Sequence, residues 1–293
     1  MNTRRLLFPG LLAVLILCAA ALAEPKVLYE KTSTYNTVVV TEDEHGLRTL
    51  LFEKGGARQS VVKLGDPDHV DLPYCQAMPA ALALVEQPRR VLIVGLGGGT
   101  IPTFLHKHYP QTMIDVVDID PVVVEVAKKF FGFREDHTLR AQVEDGRRFI
   151  ENCREPYDMI LLDAYGSENI PYPLATQEFL QAVRRALRPG GVVAGNVWSR
   201  ESNPLYDSMV RTYQEVFEEL YVLDLQDSGN KILVALPRKQ GVRRADWAGT
   251  ARRISQEKHF RFDMGDLVEH GYRYEREKNA AGRVLTDKKG VPE

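Results

Sequence analysis

The sequence predicts an α/β fold in which a small antiparallel β unit precedes a mostly parallel sheet covered by helices on both faces. Three observations predict it. Before residue 65, short β-branched runs are separated by glycine-containing and charged turns. From Arg89 onward, apolar runs of strand length alternate with amphipathic runs of helix length. The first of those strands, "RVLIVG", empties into a glycine cluster from which a helix leaves, and open α/β sheets hold ligands at such a turn.

In order, "TYNTVVVTE", "LRTLLFE" and "RQSVVKL" read as three strands joined by "DEHG" and "KGGA", ending near Leu64. After a loop, "YCQAMPAALALV" reads as a helix whose first turns Pro79 disturbs. The alternating part follows. "RVLIVG" is a strand, "TIPTFLHKHYP" a helix, "MIDVVDID" a strand, and "PVVVEVAKKFFGF" a helix with proline in its first turn. "RAQVEDGRRFIENC" is a strand running into a helix, "YDMILLDAY" another strand, and "TQEFLQAVRRALRPGG" a helix closed by Pro-Gly-Gly. "VVAGNVW" is the next strand and "PLYDSMVRTYQEVF" a helix. "LYVLDLQ" and "NKILVAL" then form a hairpin around "DSG", an antiparallel edge on the parallel sheet. The remaining tail contains one helical stretch, "WAGTARRISQEKHF". The expected units are residues 1–23, 24–88, 89–237 and 238–293.

The 293 residues are 44% hydrophobic and 27% charged with a formal charge of −2, an ordinary globular balance that gives no electrostatic case for nucleic acid. The last unit carries 14 Lys/Arg against 9 Asp/Glu, as a solvated helical face would. The N-terminus differs. Arg4 and Arg5 precede an uncharged run from Leu6 to Ala23 that ends "ALA", the order of a secretory signal peptide. Its 18 residues also suffice for an uncleaved anchor, and the flanking arginines favour an orientation with the domain outside. The expected location is therefore exported, with any membrane contact confined to this segment. Cleavage would leave Cys75 and Cys153, read as two unrelated, partly buried thiols, and no Cys/His cluster has metal-ligand spacing. No metal is expected.

The chemistry lies at four successive strand ends. Gly95, Gly97 and Gly99 allow close approach of backbone to a ligand, although a structural turn would also use them. Asp118 ends the second strand, 23 residues after Gly95. A carboxylate there can accept both ribose hydroxyls, or it is a surface acid. Glu144 and Asp145 end the third, where a carboxylate can receive an adenine amino group; Asp145 would also serve as a helix N-cap. Thr100 stands where a dinucleotide fingerprint has its third glycine, and a second mononucleotide half is missing. A single adenosine with a short charged tail, as in S-adenosylmethionine, therefore fits better than NAD. Asp163 ends the fourth strand beside the expected sulfonium. An attacking amine is mostly protonated at neutral pH and needs a carboxylate to hold it and take its proton, unless Asp163 merely caps its loop. Residues 166–173, "GSENIPYP", could form a lid.

The order of "TYNTVVV", "GARQSVV", "LPYCQAM", "VLIVGLGGGTIP", "VVDIDP", "EDGRRF", "YDMILLDAY" and "LRPGGVV" resembles the polyamine aminopropyltransferases, the spermidine synthase family, over roughly residues 28–236. "VLTDKKGVPE" looks like the ending of its more distant members. The resemblance implies a class I methyltransferase-like Rossmann domain with a mostly parallel seven-stranded sheet and a terminal hairpin, behind a small β domain. It implies decarboxylated S-adenosylmethionine as donor and a diamine such as putrescine as acceptor. By position, Gln59 and Tyr74 would contact donor and acceptor, Tyr165 the acceptor, Asp118 the ribose, Asp145 the adenine, and Asp163 would be the catalytic carboxylate. Four positions depart from the family pattern: Gly98 and Gly166 replace aspartates, Gln76 an acid and Gln226 a tyrosine. A methyltransferase on the same scaffold, and a non-catalytic adenosine- or polyamine-binding protein outside the cytoplasm, stay open as alternatives. A homodimer is compatible with each.

Overall fold

The structure is a computed structural model that describes residues 24–166, 170–226 and 228–288. The expected signal or anchor segment, residues 1–23, lies outside the described residues, as do the middle of the expected lid, residue 227 and residues 289–293.

The small unit has four strands rather than three: β1 (Lys26–Thr32), β2 (Thr37–Glu42), β3 (Leu47–Leu51) and β4 (Arg58–Lys63), an antiparallel meander in that order. β1, "KVLYEKT", was not expected because it is an edge strand exposed along most of its length and shows no apolar alternation. Val38, Val40, Leu50 and Val61 form the buried face, which joins the main core. The following segment divides into α1 (Pro73–Ala77) and a 3₁₀ stretch, Met78–Leu84, so Pro79 does more than disturb the first turns.

The larger sheet has eight strands, β12-β10-β11-β9-β8-β5-β6-β7 in spatial order. β5 (Arg90–Val94), β6 (Met113–Asp118), β7 (Leu139–Val143), β8 (Tyr157–Leu162) and β9 (Leu187–Trp198) pair in parallel. The near-continuous apolar runs of the central strands β5 and β8 follow from burial on both faces, whereas β7 is a largely exposed edge. The Pro-Gly-Gly expected to close a helix lies within β9, where the pairing with β8 shifts register between Tyr157 and Met159. β10 (Glu219–Asp224) and β11 (Asn230–Leu236) form the antiparallel hairpin on β9. The eighth strand, β12 (Tyr272–Tyr274), pairs with β10 and comes from the segment read as a tail.

That segment is a structural layer. α7 (Arg244–Glu257) and α8 (Met264–Gly271) pack over the sheet face that also carries α2 (Thr100–His108), α3 (Pro121–Phe130) and the 3₁₀ stretch. Trp247 is 1% exposed and its indole donates to the Ala80 carbonyl at 2.9 Å. The opposite face is covered by α4 (Gly146–Glu151), α5 (Gln177–Ala186) and α6 (Tyr206–Val216). Cys75 and Cys153 are both free thiols. Among the described residues no helix is long and apolar enough to cross a membrane.

The chain runs outward from β5 through β6 and β7, then returns to place β8 on the other side of β5. This reversal opens a crevice at the C-terminal ends of β5 and β8, where a parallel α/β sheet offers a ligand site.

Candidate active site

A cavity of about 210 Å³ fills that crevice. Its floor is the glycine turn after β5. Gly95 has φ 100°, and a Cβ on it would lie 2.2 Å from the backbone oxygen of Asp163, so β5 and β8 can approach this closely only at glycine. Gly97 has φ 53° and faces Ser60 of β4, whose hydroxyl accepts from the Gly98 amide at 2.8 Å. The small β unit thus closes one wall. Gly99 caps α2 beneath Phe133 and does not line the cavity.

Asp118 at the end of β6 is tied to this turn. Its carboxylate accepts from the Leu96 amide at 2.8 Å and the Asp120 amide at 2.9 Å. Burial outweighs these bonds and pushes the carboxyl up to about 6. Asp145 lines the cavity and also caps α4, one carboxylate oxygen accepting from the Arg147 and Arg148 amides at 2.8 and 3.3 Å. The cap and a ligand contact are compatible, because both bonds use Oδ1. Glu144 is not in the cavity. It faces a separate depression with Arg90, Asp115 and Tyr157, because adjacent residues of an extended chain point to opposite sides and Asp145 takes the inward direction.

Asp163 follows β8 and lines the cavity. The Asn196 side-chain amide donates to it at 2.9 Å, and Asn196 is held in turn by the Asn230 amide at 2.9 Å. Burial, reinforced by the neighbouring Asp118 charge, pushes Asp163 up to about 7 against the Asn196 bond. A carboxylate with that value is divided between acid and base near neutral pH, which suits proton transfer. Tyr74 donates to the Gln59 carbonyl at 2.8 Å, and Tyr165 donates to the Asn196 carbonyl at 3.0 Å while stacking on Trp198 at 5.4 Å. Gln59, Tyr74 and Tyr165 line both the cavity and a second depression, which continues past Asn196 to Trp198, Arg58, Ser202 and Asn230. Asp163 therefore lies beside the junction of two compartments.

Sequence reading passed over four contributors, Asn36, Ile119, Leu174 and Trp198. Asn36, in the β1–β2 turn, lines the cavity, and its side-chain oxygen is buried with no partner among the described residues. Ser33 forms that turn by accepting from the Tyr35 and Asn36 amides at 3.0 Å each, and "STYN" is the local signal for it. Ile119, 40% exposed, and Leu174 offer apolar surface for a flat ring. Trp198 has no local signal. Two of the departing positions have a local structural setting. A side chain at Gly98 would meet Phe131 and Ser60 at 2.9 Å, and Gln76 is bound to the Val70 carbonyl at 2.6 Å. Of the expected lid, Gly166 and residues 170–173 are described, and Pro171 and Pro173 line the cavity.

Four carboxylates line the cavity, Asp118, Asp120, Asp145 and Asp163, and no Lys, Arg or His does so among the described residues. Among those residues, no group of three or more His, Cys, Asp or Glu is placed to hold a metal ion.

The model of the spermine/spermidine synthase domain matches residues 75–223, just over half of the chain. The chain belongs to this family. A polyamine aminopropyltransferase of Vibrio vulnificus is 35% identical to this family member over 249 residues, covering 80% of this chain and 82% of its own. A probable spermidine synthase from Corynebacterium glutamicum superposes with a TM-score of 0.70 at 19% identity, covering 90% of this chain and 97% of that one, a likeness of fold. Human methyltransferase-like protein 13, solved in complex with SAH, superposes with a TM-score of 0.59 at 31% identity, covering 64% of this chain and 93% of that one. Spermidine synthases and methyltransferases thus share this family member's larger sheet.

Proposed function

We propose that the chain transfers an aminopropyl group from decarboxylated S-adenosylmethionine to an amine, with a diamine such as putrescine as acceptor. The observation that carries this reading is Asp163, pushed up to about 7 beside the junction of a carboxylate-lined cavity and a second, aromatic compartment. Named relatives support it, the Vibrio vulnificus polyamine aminopropyltransferase foremost.

In this reading the nucleoside lies along Asp118 and Asp145, with Asn36 offering its unpartnered oxygen to a ribose hydroxyl or amino donor. The charge pattern favours the decarboxylated donor. It carries a sulfonium and an ammonium and no carboxylate, so it suits a lining that has carboxylates and no cationic side chain. The intact donor would bring a carboxylate that, among the described lining residues, only neutral donors could meet, with four carboxylates already present. The acceptor amine enters past Tyr165 and Trp198, and Asp163 holds it and takes its proton. The nitrogen lone pair then attacks the aminopropyl carbon bonded to sulfur. The carbon–sulfur bond breaks with its electrons staying on sulfur, which gives methylthioadenosine. Holding nucleophile, carbon and sulfur in line supplies much of the rate.

Calorimetry with methylthioadenosine and with decarboxylated and intact S-adenosylmethionine tests the donor, and putrescine-dependent release of methylthioadenosine tests the reaction. Binding of the decarboxylated donor more tightly than the intact one is expected. A chain that binds none of the three would sink the reading.

We propose in addition that the protein works outside the cytoplasm, on the strength of Arg4, Arg5 and the uncharged run from Leu6 to Ala23. A reporter active only after export, fused behind Glu24, should be active; an inactive fusion would count against export.

A further inference from the structure

The segment "RVLTD", which the aminopropyl-transfer reading leaves without a task, is not a loose end. Residues 283–287 run as a strap across three elements. The Arg283 amide donates to Ser208 Oγ at 3.2 Å and the Leu285 amide to Thr212 Oγ1 at 3.0 Å, both on α6. Leu285 is buried, and its carbonyl accepts from the Gln177 amide at the start of α5 at 2.8 Å. The Thr286 carbonyl accepts from the Tyr172 hydroxyl at 3.1 Å, and the Asp287 amide donates to Glu178 at 3.1 Å.

The strap ends on Arg147. Asp287 takes two parallel bonds from its guanidinium, at 2.8 and 2.6 Å. The same guanidinium donates to Glu151 at 2.8 Å and to the Pro173 carbonyl at 3.3 Å. The Arg147 backbone amide donates to Asp145 at 2.8 Å. One residue therefore links the Asp145–Gly146 side of the cavity to the Pro171–Leu174 side, and the strap holds that residue from outside. A lone exposed ion pair contributes little, but a two-pronged guanidinium–carboxylate contact within a network fixes orientation as well as distance. A cavity already ordered before its ligand arrives binds more tightly, because less ordering remains to be done.

We propose that Asp287, acting through Arg147, is a positioning residue for the nucleoside end of the cavity, so that the C-terminal strap sets donor affinity without touching the donor. The proposal rests on the reading above in one respect, that this cavity takes a nucleoside.

Asp287→Asn in the full chain tests it. The dissociation constant for methylthioadenosine, read by calorimetry, should rise about five- to tenfold, and the donor KM by the same factor, while kcat changes less than about twofold. Asp287→Glu should restore part of the affinity. Amide hydrogen exchange should quicken in residues 170–176 and stay unchanged in α7 and the central strands, a pattern that general destabilisation would not produce. Equal affinity of wild type and Asp287→Asn overturns the proposal, as does a fall in kcat with affinity unchanged. A wild-type chain that binds no nucleoside overturns the functional reading and this proposal together, whereas the first two outcomes leave that reading standing.

Discussion

The two compartments of the crevice are built in different ways. In the carboxylate-lined cavity, the proposed nucleoside compartment, two carboxylates are oriented by backbone amides: Asp118 by those of Leu96 and Asp120, Asp145 by those of Arg147 and Arg148. Around Asp163 and the second, proposed acceptor compartment, side chains orient side chains. Asn230 holds Asn196, Asn196 holds Asp163, and Trp198 backs Tyr165. Backbone amides are present whatever the neighbouring side chain, so the first arrangement survives substitution around it. The second depends on each member. In the proposed reaction, the donor-side carboxylates Asp118 and Asp145 thus take their local orientation from the backbone, whereas the acceptor side depends on side-chain contacts that single substitutions alter directly.

The largest effect expected from this contrast is at its centre. Asp163→Asn should lower turnover about 10³-fold while the affinity for methylthioadenosine changes little, since proton transfer by a placed side chain is worth roughly 10²- to 10⁴-fold. Steady-state rates and calorimetry on the same preparation check this, and unimpaired turnover would remove Asp163 from the chemistry. Next is pH. Asp163 must be ionised to accept a proton, and burial has raised it to about 7, so kcat/KM should fall about tenfold per unit as pH drops below that value. A rate flat down to pH 5 would exclude it as the base.

The two compartments should then separate under substitution. Asp118→Asn removes a charge that accepts hydrogen bonds, and should weaken methylthioadenosine binding by about 2 kcal/mol, roughly thirtyfold. The acceptor KM should move far less. Trp198→Ala should do the reverse on a smaller scale, raising the acceptor KM by about three- to tenfold through loss of an aromatic contact worth roughly 1 kcal/mol. If both variants raised both constants equally, the division into two compartments would be wrong.

The stability cost of this site has a sign that can be worked out. The folded Asp163 value of about 7 lies above the ordinary 3.8, so the folded state binds the proton more tightly than the unfolded one. Asp163→Asn should therefore stabilise the fold by an amount that grows as pH rises from about 4 to 7 and levels off above, on the order of 4 kcal/mol for a rise from 3.8 to about 7. Denaturant unfolding at pH 5 and pH 8 measures it.

The same contrast governs what the sequence disclosed. The Gly95 turn, Asp118, Asp145 and Asp163 are each a local event at a strand end, so alternation of apolar runs was enough to locate them in one crevice. Glu144 and Gly99 shared that local signal, yet side-chain direction and helix packing carried them out of it. Asn196, Trp198 and Asn230 meet Asp163 and Tyr165 only through strand order, which no local pattern specifies. The fold was legible to the same degree. Central strands announced themselves by burial on both faces, whereas β1 and β12 are edges held by a partner's backbone, and α8 lay in a segment whose composition reads as a solvated tail.

Gly95 joins the two compartments mechanically. With no room for even a methyl group between it and the Asp163 carbonyl, the glycine turn and the strand end that carries Asp163, the proposed seat of the donor and the proposed base, are referenced to a single datum. The distance between donor and base is therefore not adjustable piecemeal. A side chain introduced at residue 95 would displace both at once, and relocating the reaction toward a longer or shorter donor would require changing the far wall instead.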